Sequence, residues 1–382
     1  MTNLSAAVIG TGFIGPVHVE GLRRAGVRVV GVLGSSANRS LEAARALGLP
    51  RGYASMDELL SDAEVDVVHI TTPNRFHFDQ ASAALRAGKH VLCEKPLAMD
   101  SSQSQELVRI ARESGLAAGV NYNIRYYPLC IEAAERMRSG ECGDLVHVAG
   151  SYVQDWLFHP TDFNWRVLGE EGGELRAISD IGTHWLDLIR FISGREVEAV
   201  FADLQTVFKT RQRPLGSVET FSSKLRTERD TEPVAITTDD CGSVLLRFAG
   251  GGRGVLWVSQ VTAGRKNSCR YELTASKQSL AWNSETPNEL WIGHRDQANE
   301  VLTRDPALIS PRAREFSSYP GGHNEGFSDT FKQLCRDFYG YISAGDFTAA
   351  PTFPTFTDGH REIQMCDAIL KSHRQQTWVP VG

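Results

Sequence analysis

The sequence offers no Cys-x-x-Cys pair, although it holds seven cysteines (Cys93, Cys130, Cys142, Cys241, Cys269, Cys335 and Cys366). An odd, scattered set excludes a disulfide framework or a cysteine-ligated zinc site and reads as reduced thiols in a cytoplasmic protein. No apolar run approaches the ~18 residues that a membrane span requires. The N-terminus shows no basic segment followed by an apolar stretch, so no export signal is expected. Excess positive charge is missing too. Lys and Arg total 40 against 46 Asp and Glu, a net charge of −6, which argues against nucleic acid or an anionic membrane surface as partner. No His, Cys and carboxylate spacing supplies a third ligand to a metal, and no metal is expected.

What is present is enough for two domains. The chain has 382 residues, 41% hydrophobic and 23% charged, ordinary values for globular cores. Up to residue 120, short apolar runs (6–9, 27–33, 65–70, 90–93, 117–120) alternate with helical patterns (14–25, 40–47, 78–87, 104–113), the mark of a doubly wound parallel sheet. After Asn123 the character changes. A helix over 126–138 precedes strand candidates at 145–153, 197–208, 243–248, 254–261, 270–275 and 289–294, which point to an open-faced, mostly antiparallel sheet. Helices are expected again at 180–192, 327–344 and 358–373. Ala249–Gly252 reads as a hairpin link, and Thr210–Pro233 as a long polar loop, a functional or oligomeric contact. The expected division is 1–123 and 124–382.

Gly10-Thr11-Gly12-Phe13-Ile14-Gly15 follows the first strand and opens a helix, the setting that gives G-x-G-x-x-G its meaning. Gly10 permits the turn, Gly12 leaves room for a pyrophosphate, and Gly15 lets helix and strand approach. The first domain is therefore read as a dinucleotide-binding Rossmann domain. An acid about 20 residues on would bond the ribose 2′-hydroxyl of NAD, but the end of the second strand reads Leu33-Gly34-Ser35-Ser36-Ala37-Asn38-Arg39. Ser35, Ser36 and Arg39 offer donors to a 2′-phosphate, which favours NADP(H) and leaves NAD(H) open.

Thr72, Pro73 and Asn74 close the third long strand, where such a sheet presents residues to its ligand. A later strand ends in Glu94-Lys95-Pro96, and the proline keeps Lys95 out of helical geometry. Asp180 and His184 stand one helical turn apart, with Asp187 three residues beyond. A carboxylate one turn away orients a histidine as general base; it equally satisfies a half-buried histidine with no chemistry.

These residues resemble the family of glucose–fructose oxidoreductase, inositol dehydrogenase and the rhizopine-catabolism oxidoreductases (Gfo/Idh/MocA), most strongly at Gly10–Gly15, Thr72–Asn74, His77, Gly88–Pro96 and Asp180–His184. The resemblance implies a Rossmann domain followed by an open-faced α/β domain that carries substrate contacts and often mediates oligomers, here a homodimer or homotetramer. It also implies that Lys95, Asp180 and His184 lie around the nicotinamide and the reacting carbon, with His77 and Glu94 on the cofactor side. Gly34, where many relatives carry aspartate, departs from the pattern.

The implied activity is hydride transfer between NAD(P) and a secondary alcohol or ketone carbon of a sugar, polyol or glycoside. Lys95 and His184 share proton transfer, His184 first because imidazole titrates near working pH. Asn123, Arg125, Tyr126, Trp165, Arg166, Arg176 and His323 are the remaining candidate substrate contacts, a mixture of aromatic faces and polar groups suited to a sugar. A redox-neutral, nicotinamide-dependent glycosidase and a non-catalytic sensor are the alternatives.

Overall fold

The computed structural model describes residues 4–215 and 230–382. Its first sheet is built from β1 (Ser5–Ile9), β2 (Arg28–Leu33), β3 (Arg51–Tyr53), β4 (Val67–Ile70), β5 (His90–Cys93) and β6 (Ala118–Val120). All pairs are parallel and the order is β3-β2-β1-β4-β5-β6. Parallel strands need crossovers, and α1 (Ile14–Arg24), α2 (Ala37–Leu47), α3 (Met56–Ser61), α4 (His77–Arg86) and α5 (Ser101–Ser114) provide them. Ser36, Ser55 and Asp100 start α2, α3 and α5 by accepting a backbone N–H three residues on. Successive strands are added outward in opposite directions from β1 and β4, so the carboxyl ends of these two open the crevice where such sheets hold ligands.

The second sheet follows α6 (Pro128–Arg138) and has nine strands. Between β7 (Leu145–Val153) and β8 (Val197–Gln205) lie the short α7 (Gly169–Gly172), a π-helical turn over Ile178–Gly182, and α8 (Thr183–Ser193). β9 (Thr210–Pro214) and β10 (Thr231–Ala235) form a separate two-stranded ladder. The large sheet continues with β11 (Cys241–Phe248), β12 (Arg253–Ser259), β13 (Ser268–Ala275), β14 (Ser279–Asn283), β15 (Glu289–Gly293) and β16 (Glu300–Thr303). The chain ends with α9 (Pro311–Glu315), α10 (Phe327–Ala344), α11 (Phe356–Gln375) and β17 (Val379–Pro380). Strand order is β16-β15-β14-β13-β7-β12-β11-β8-β17, antiparallel except for the central β7–β12 pair.

Alternation decides which face is covered. Along β11, Gly242, Val244, Leu246 and Phe248 are buried while Ser243, Leu245 and Arg247 are exposed. The inner face packs on α8 and α11; the outer face is open. The expected loop over 210–233 is corrected at both ends, where β9 and β10 pair; its middle, 216–229, lies outside the described residues.

One apolar core runs through both sheets. Ala7 and Ile9 of β1 face a core shared with β4, β5 and α5, whereas Ala6 and Val8 face a second core. That second core continues without a break through α6, α8, the large sheet, α10 and α11. α10 lies on α1, α11 lies on α5, and the N–H of Val120 donates to the carbonyl of Pro354. Residue 123 separates the two sheets in the chain, but the last two helices pack against both.

Candidate active site

The turn after β1 is shaped by close approach. Gly10 has a φ of +111°, and a Cβ there would sit 2.5 Å from Thr71 Oγ1. A Cβ on Gly15 would strike the Gly10 carbonyl, whereas above Gly12 there is nothing within 4 Å. α1 begins with no side-chain cap and no acid in its first turn. A helix start with no acid in its first turn, open space over Gly12 and the half-exposed Phe13 beside it fit the pyrophosphate of a dinucleotide.

At the end of β2, the missing acid has a packing reason. A Cβ on Gly34 would lie 3.1 Å from both Arg39 Cβ and the Ser40 nitrogen, and the Gly34 N–H donates to Ser40 Oγ at 2.8 Å. Ser36 Oγ accepts from Arg39 N at 3.3 Å as the α2 cap. Ser35 is exposed, and Arg39 reaches into solvent 3.5 Å from Glu42.

β5 delivers Glu94 and Lys95 to the carboxyl edge of the first sheet. Lys95 Nζ donates to Asp180 Oδ1 and to the Asp180 carbonyl, each at 2.9 Å. Arg166 Nε lies 3.3 Å from the same Oδ1, and Gln260 Nε2 donates to Oδ2 at 2.8 Å. Burial opposes ionisation of Asp180, but the charges of Lys95 and Arg166 outweigh it and hold the carboxyl well below its usual range.

The turn carrying Asp180 is set from the second sheet. Asp239, just before β11, accepts the N–H of Arg176 at 2.6 Å and that of Ile178 at 3.0 Å, which fixes the start of the π-turn. The continuous α-helix expected from Asp180 is therefore corrected to a π-turn followed by α8. His184 lies on α8 between Tyr122, edge-on at 5.6 Å, and Tyr152, at 6.1 Å between ring centroids. Its Nδ1 is buried with no partner among the described residues. Burial first, then the Lys95 charge, push its pKa down to about 3, so the ring is neutral at ordinary pH. Asp180 was expected to orient His184; the carboxylate is instead occupied by Lys95, Arg166 and Gln260.

Other expected contacts are spent in the interior. Arg125 is buried and forks onto Asp187, with Asp358 3.0 Å away. Arg176 pairs with Asp240, both side chains wholly buried. Tyr126 donates to Asp337 at 2.7 Å, and Asn123 Nδ2 to Thr330 Oγ1 at 2.7 Å. Arg125, Tyr126 and Asn123 are corrected from substrate contacts to braces, because the polar groups just named already have partners. Arg176 is corrected because its side chain is wholly buried on Asp240, although its Nε and Nη1 have no partner among the described residues. His77 is corrected likewise: its ring nitrogens lie 2.8 Å from the Pro96 carbonyl and 2.9 Å from that of Thr72, so it clamps the two turns together. Asn74 donates to the Gly172 carbonyl at 2.8 Å, and Thr72 to Gln80 at 2.6 Å; half-buried Pro73 lies between them. Half-buried Trp165 carries the Arg166 guanidinium over its ring at 4.4 Å, while His323 is exposed on the loop before α10.

Sequence reasoning missed a buried polar chain behind Lys95. His18 Nε2 lies 3.0 Å from Glu94 Oε1, His18 Nδ1 2.8 Å from His69 Nδ1, and His69 Nε2 3.0 Å from the Tyr339 hydroxyl. Asn121 also donates to Glu94, and Glu94 Oε2 accepts the Lys95 N–H at 3.2 Å. Against the effect of burial, His18, Lys95 and Asn121 bring the Glu94 carboxyl to about 2. Glu94 is thus an anchor for the Lys95 turn. The one signal available was His18 itself, a histidine on the buried side of the helix after the glycine turn. Asp239 and Gln260 were missed as well; one lies two residues before β11 and the other one residue after β12, positions with no distinguishing pattern.

A dinucleotide-shaped turn and a lysine–aspartate pair at the carboxyl edge of the same sheet define a nicotinamide-dependent oxidoreductase. The comparisons with known proteins give the family. Residues 4–122 match the model of the oxidoreductase family with an NAD-binding Rossmann fold (GFO_IDH_MocA), and residues 130–281 match the GFO/IDH/MocA C-terminal domain. The chain belongs to the Gfo/Idh/MocA family and is an NAD(P)-dependent dehydrogenase, as the resemblance implied. Levoglucosan dehydrogenase of Pseudarthrobacter phenanthrenivorans is 29% identical, with 100% of this chain and 99% of that protein covered. Myo-inositol 2-dehydrogenase of Thermotoga maritima is 28% identical over 57% of this chain and 64% of its own. A solved structure of levoglucosan dehydrogenase in complex with NADH and L-sorbose superposes with a TM-score of 0.89 at 28% identity, covering all of both chains. Among the described residues no helix is long and apolar enough to cross a membrane.

Proposed function

We propose that the enzyme interconverts a secondary alcohol and a ketone on a sugar or polyol. The observation that carries this is the buried Lys95–Asp180 pair beside a neutral His184. Relatives named for levoglucosan and myo-inositol support the substrate class.

The nicotinamide, when bound, accepts or returns the hydride. Lys95 has three N–H donors and commits two to Asp180, leaving one for the substrate oxygen. Asp180 stays ionised and holds that ammonium in place. His184, whose depressed pKa corrects the near-neutral titration expected from the sequence, is uncharged at ordinary pH and so able to take the hydroxyl proton as the carbon is oxidised and to return it in reduction. The Trp165 ring with Arg166 above it offers an apolar face and donors of the kind that hold a sugar ring.

NADP(H) is the proposed cofactor. Gly34 places no carboxylate against a 2′-phosphate, and the Arg39 guanidinium is 63% exposed and within reach of that edge of the sheet.

We also propose a homodimer or homotetramer built on the open sheet face. Phe201, Leu245, Val255, Ala149, Glu272, Ala281, Trp291 and Val301 are paired neighbour to neighbour across eight strands. All but Glu272 are apolar, and Leu245 and Val301 are 46% and 59% exposed, an outward stripe that a second copy would cover.

The test is a spectrophotometric screen of inositols, hexoses, pentoses and anhydrosugars with NAD⁺ and NADP⁺ separately. Reduced nicotinamide forming with one of them, and not with Lys95→Met, is the expected result. A blank screen from a protein that still binds nucleotide would overturn it in favour of redox-neutral or purely binding roles.

A further inference from the structure

Among the described residues the β7–β12 pair is the one parallel pairing in the large sheet, and both strands contact the Asp180 turn. Gln260 follows β12. Its backbone N–H donates to the Asp240 carbonyl at 3.0 Å and its carbonyl accepts from Leu157 N at 3.1 Å, so the main chain on either side is tied down. The residue is 1% exposed. Its Nε2 donates to Asp180 Oδ2 at 2.8 Å.

That bond settles which way the amide faces. Asp180 is held ionised by Lys95 and Arg166 and is therefore acceptor-only, so the nitrogen of Gln260 must point to it and the oxygen away. Oε1 is buried and has no partner among the described residues. A buried acceptor without a donor is costly, and a residue that merely positioned Asp180 would not need one. A sugar bound with its reacting oxygen on Lys95 brings further hydroxyls, each a donor, to the same side chains.

We infer that Gln260 is a specificity-determining residue: its Oε1 accepts a hydrogen bond from a substrate hydroxyl next to the carbon being oxidised, so the enzyme selects vicinal diols over isolated alcohols. This rests on the sugar-oxidising reading above. Asp180 thereby serves twice, holding Lys95 on one oxygen and orienting the Gln260 amide with the other. No step beyond the alcohol oxidation is added.

The test compares levoglucosan with its 2-, 3- and 4-monodeoxy derivatives in wild type, Gln260→Met and Gln260→Glu. Wild type is expected to lose about 10- to 100-fold in kcat/KM when one hydroxyl adjacent to the reacting carbon is removed. In Gln260→Met, which has neither donor nor acceptor, the ratio of intact to deoxy sugar collapses to about one, mainly through KM, on top of a common drop from the lost bond to Asp180. Gln260→Glu keeps the discrimination, since one proton shared between the two carboxyl groups leaves an acceptor oxygen in place. Reduced-nicotinamide fluorescence on binding stays the same in all three proteins. An equal drop on every sugar in Gln260→Met, or unchanged discrimination, would overturn the assignment while leaving the dehydrogenase intact. Where the screen finds another sugar in place of levoglucosan, its monodeoxy derivatives are compared instead; no turnover of any sugar or polyol in that screen by wild type would overturn the sugar-oxidising reading and the Gln260 assignment with it.

Discussion

Lys95 Nζ and Asp180 Oδ1 lie 2.9 Å apart, yet 85 residues separate them and they are presented by different sheets. The lysine follows β5 of the first sheet, and the aspartate sits in a π-turn capped from the second by Asp239. The reactive arrangement exists only when both halves are folded and docked.

Lys95→Met should cut turnover by ~100-fold or more, the usual contribution of a donor positioned on the reacting oxygen. Nucleotide binding should persist, because the glycine turn after β1 is untouched. Steady-state kinetics with a fluorescence titration of the reduced cofactor checks both halves; full turnover would remove Lys95 from the reaction.

The pH profile follows from the direction of the His184 shift. Its pKa is pushed down to about 3, so the neutral, proton-accepting form is populated at any pH above that. The acid limb of kcat/KM should therefore fall well below the 6.5 of an ordinary histidine. The Lys95 charge is one of the two causes, after burial. In a Lys95→Met variant with residual activity, the limb should move upward. A wild-type limb at 6.5 would show that burial and Lys95 do not depress His184.

Arg39→Ala should raise KM for NADP⁺ by about tenfold, the loss of one charge-assisted hydrogen bond, and leave that for NAD⁺ unchanged. Equal effects on the two cofactors, or a wild-type preference for NAD⁺, would contradict the proposed use of NADP(H).

Asp240 accepts from both Arg176 and Arg211 with all three side chains wholly buried. Asp240→Ala leaves two guanidinium groups buried without their counter-charge and should destabilise the fold by about 3–5 kcal/mol. Urea unfolding measures it. A change under 1 kcal/mol would mean that water replaces the carboxylate.

The sequence shows most where one local pattern decides the outcome. The strands at His90–Cys93 and Leu145–Val153 and the helix Phe327–Ala344 match expectation to the residue, because each is a clean apolar run, an alternation or a 3.6-residue stripe. β3 escaped notice because it is a three-residue strand, Arg51–Tyr53, at the sheet edge. β9 and β10 escaped because their sequences, Thr-Arg-Gln-Arg-Pro and Thr-Glu-Pro-Val-Ala, carry no apolar alternation; Arg211 is buried there against Asp240, three carbonyls and the Phe208 ring. In the site, Lys95 and Asp180 were legible from the Glu-Lys-Pro strand end and the Asp-Ile-Gly-x-His run. The partners of Asp180 were not. A π-turn capped by Asp239, some sixty residues downstream, turns the carboxylate to Lys95 and Gln260, and helical periodicity carries no trace of that.

The helices α10 and α11 close against α1 and α5 and share the core that fills both sheets. The transferable unit of this enzyme is therefore not a contiguous stretch of chain. A chimera joined at residue 123 would take the nucleotide half without the two helices that cover it, and would leave a donor's catalytic lysine resting on another protein's packing. A functional graft must carry 1–123 together with the final helical pair. By the same interlocking, a change in cofactor preference made on one side is constrained by side chains encoded two hundred residues away.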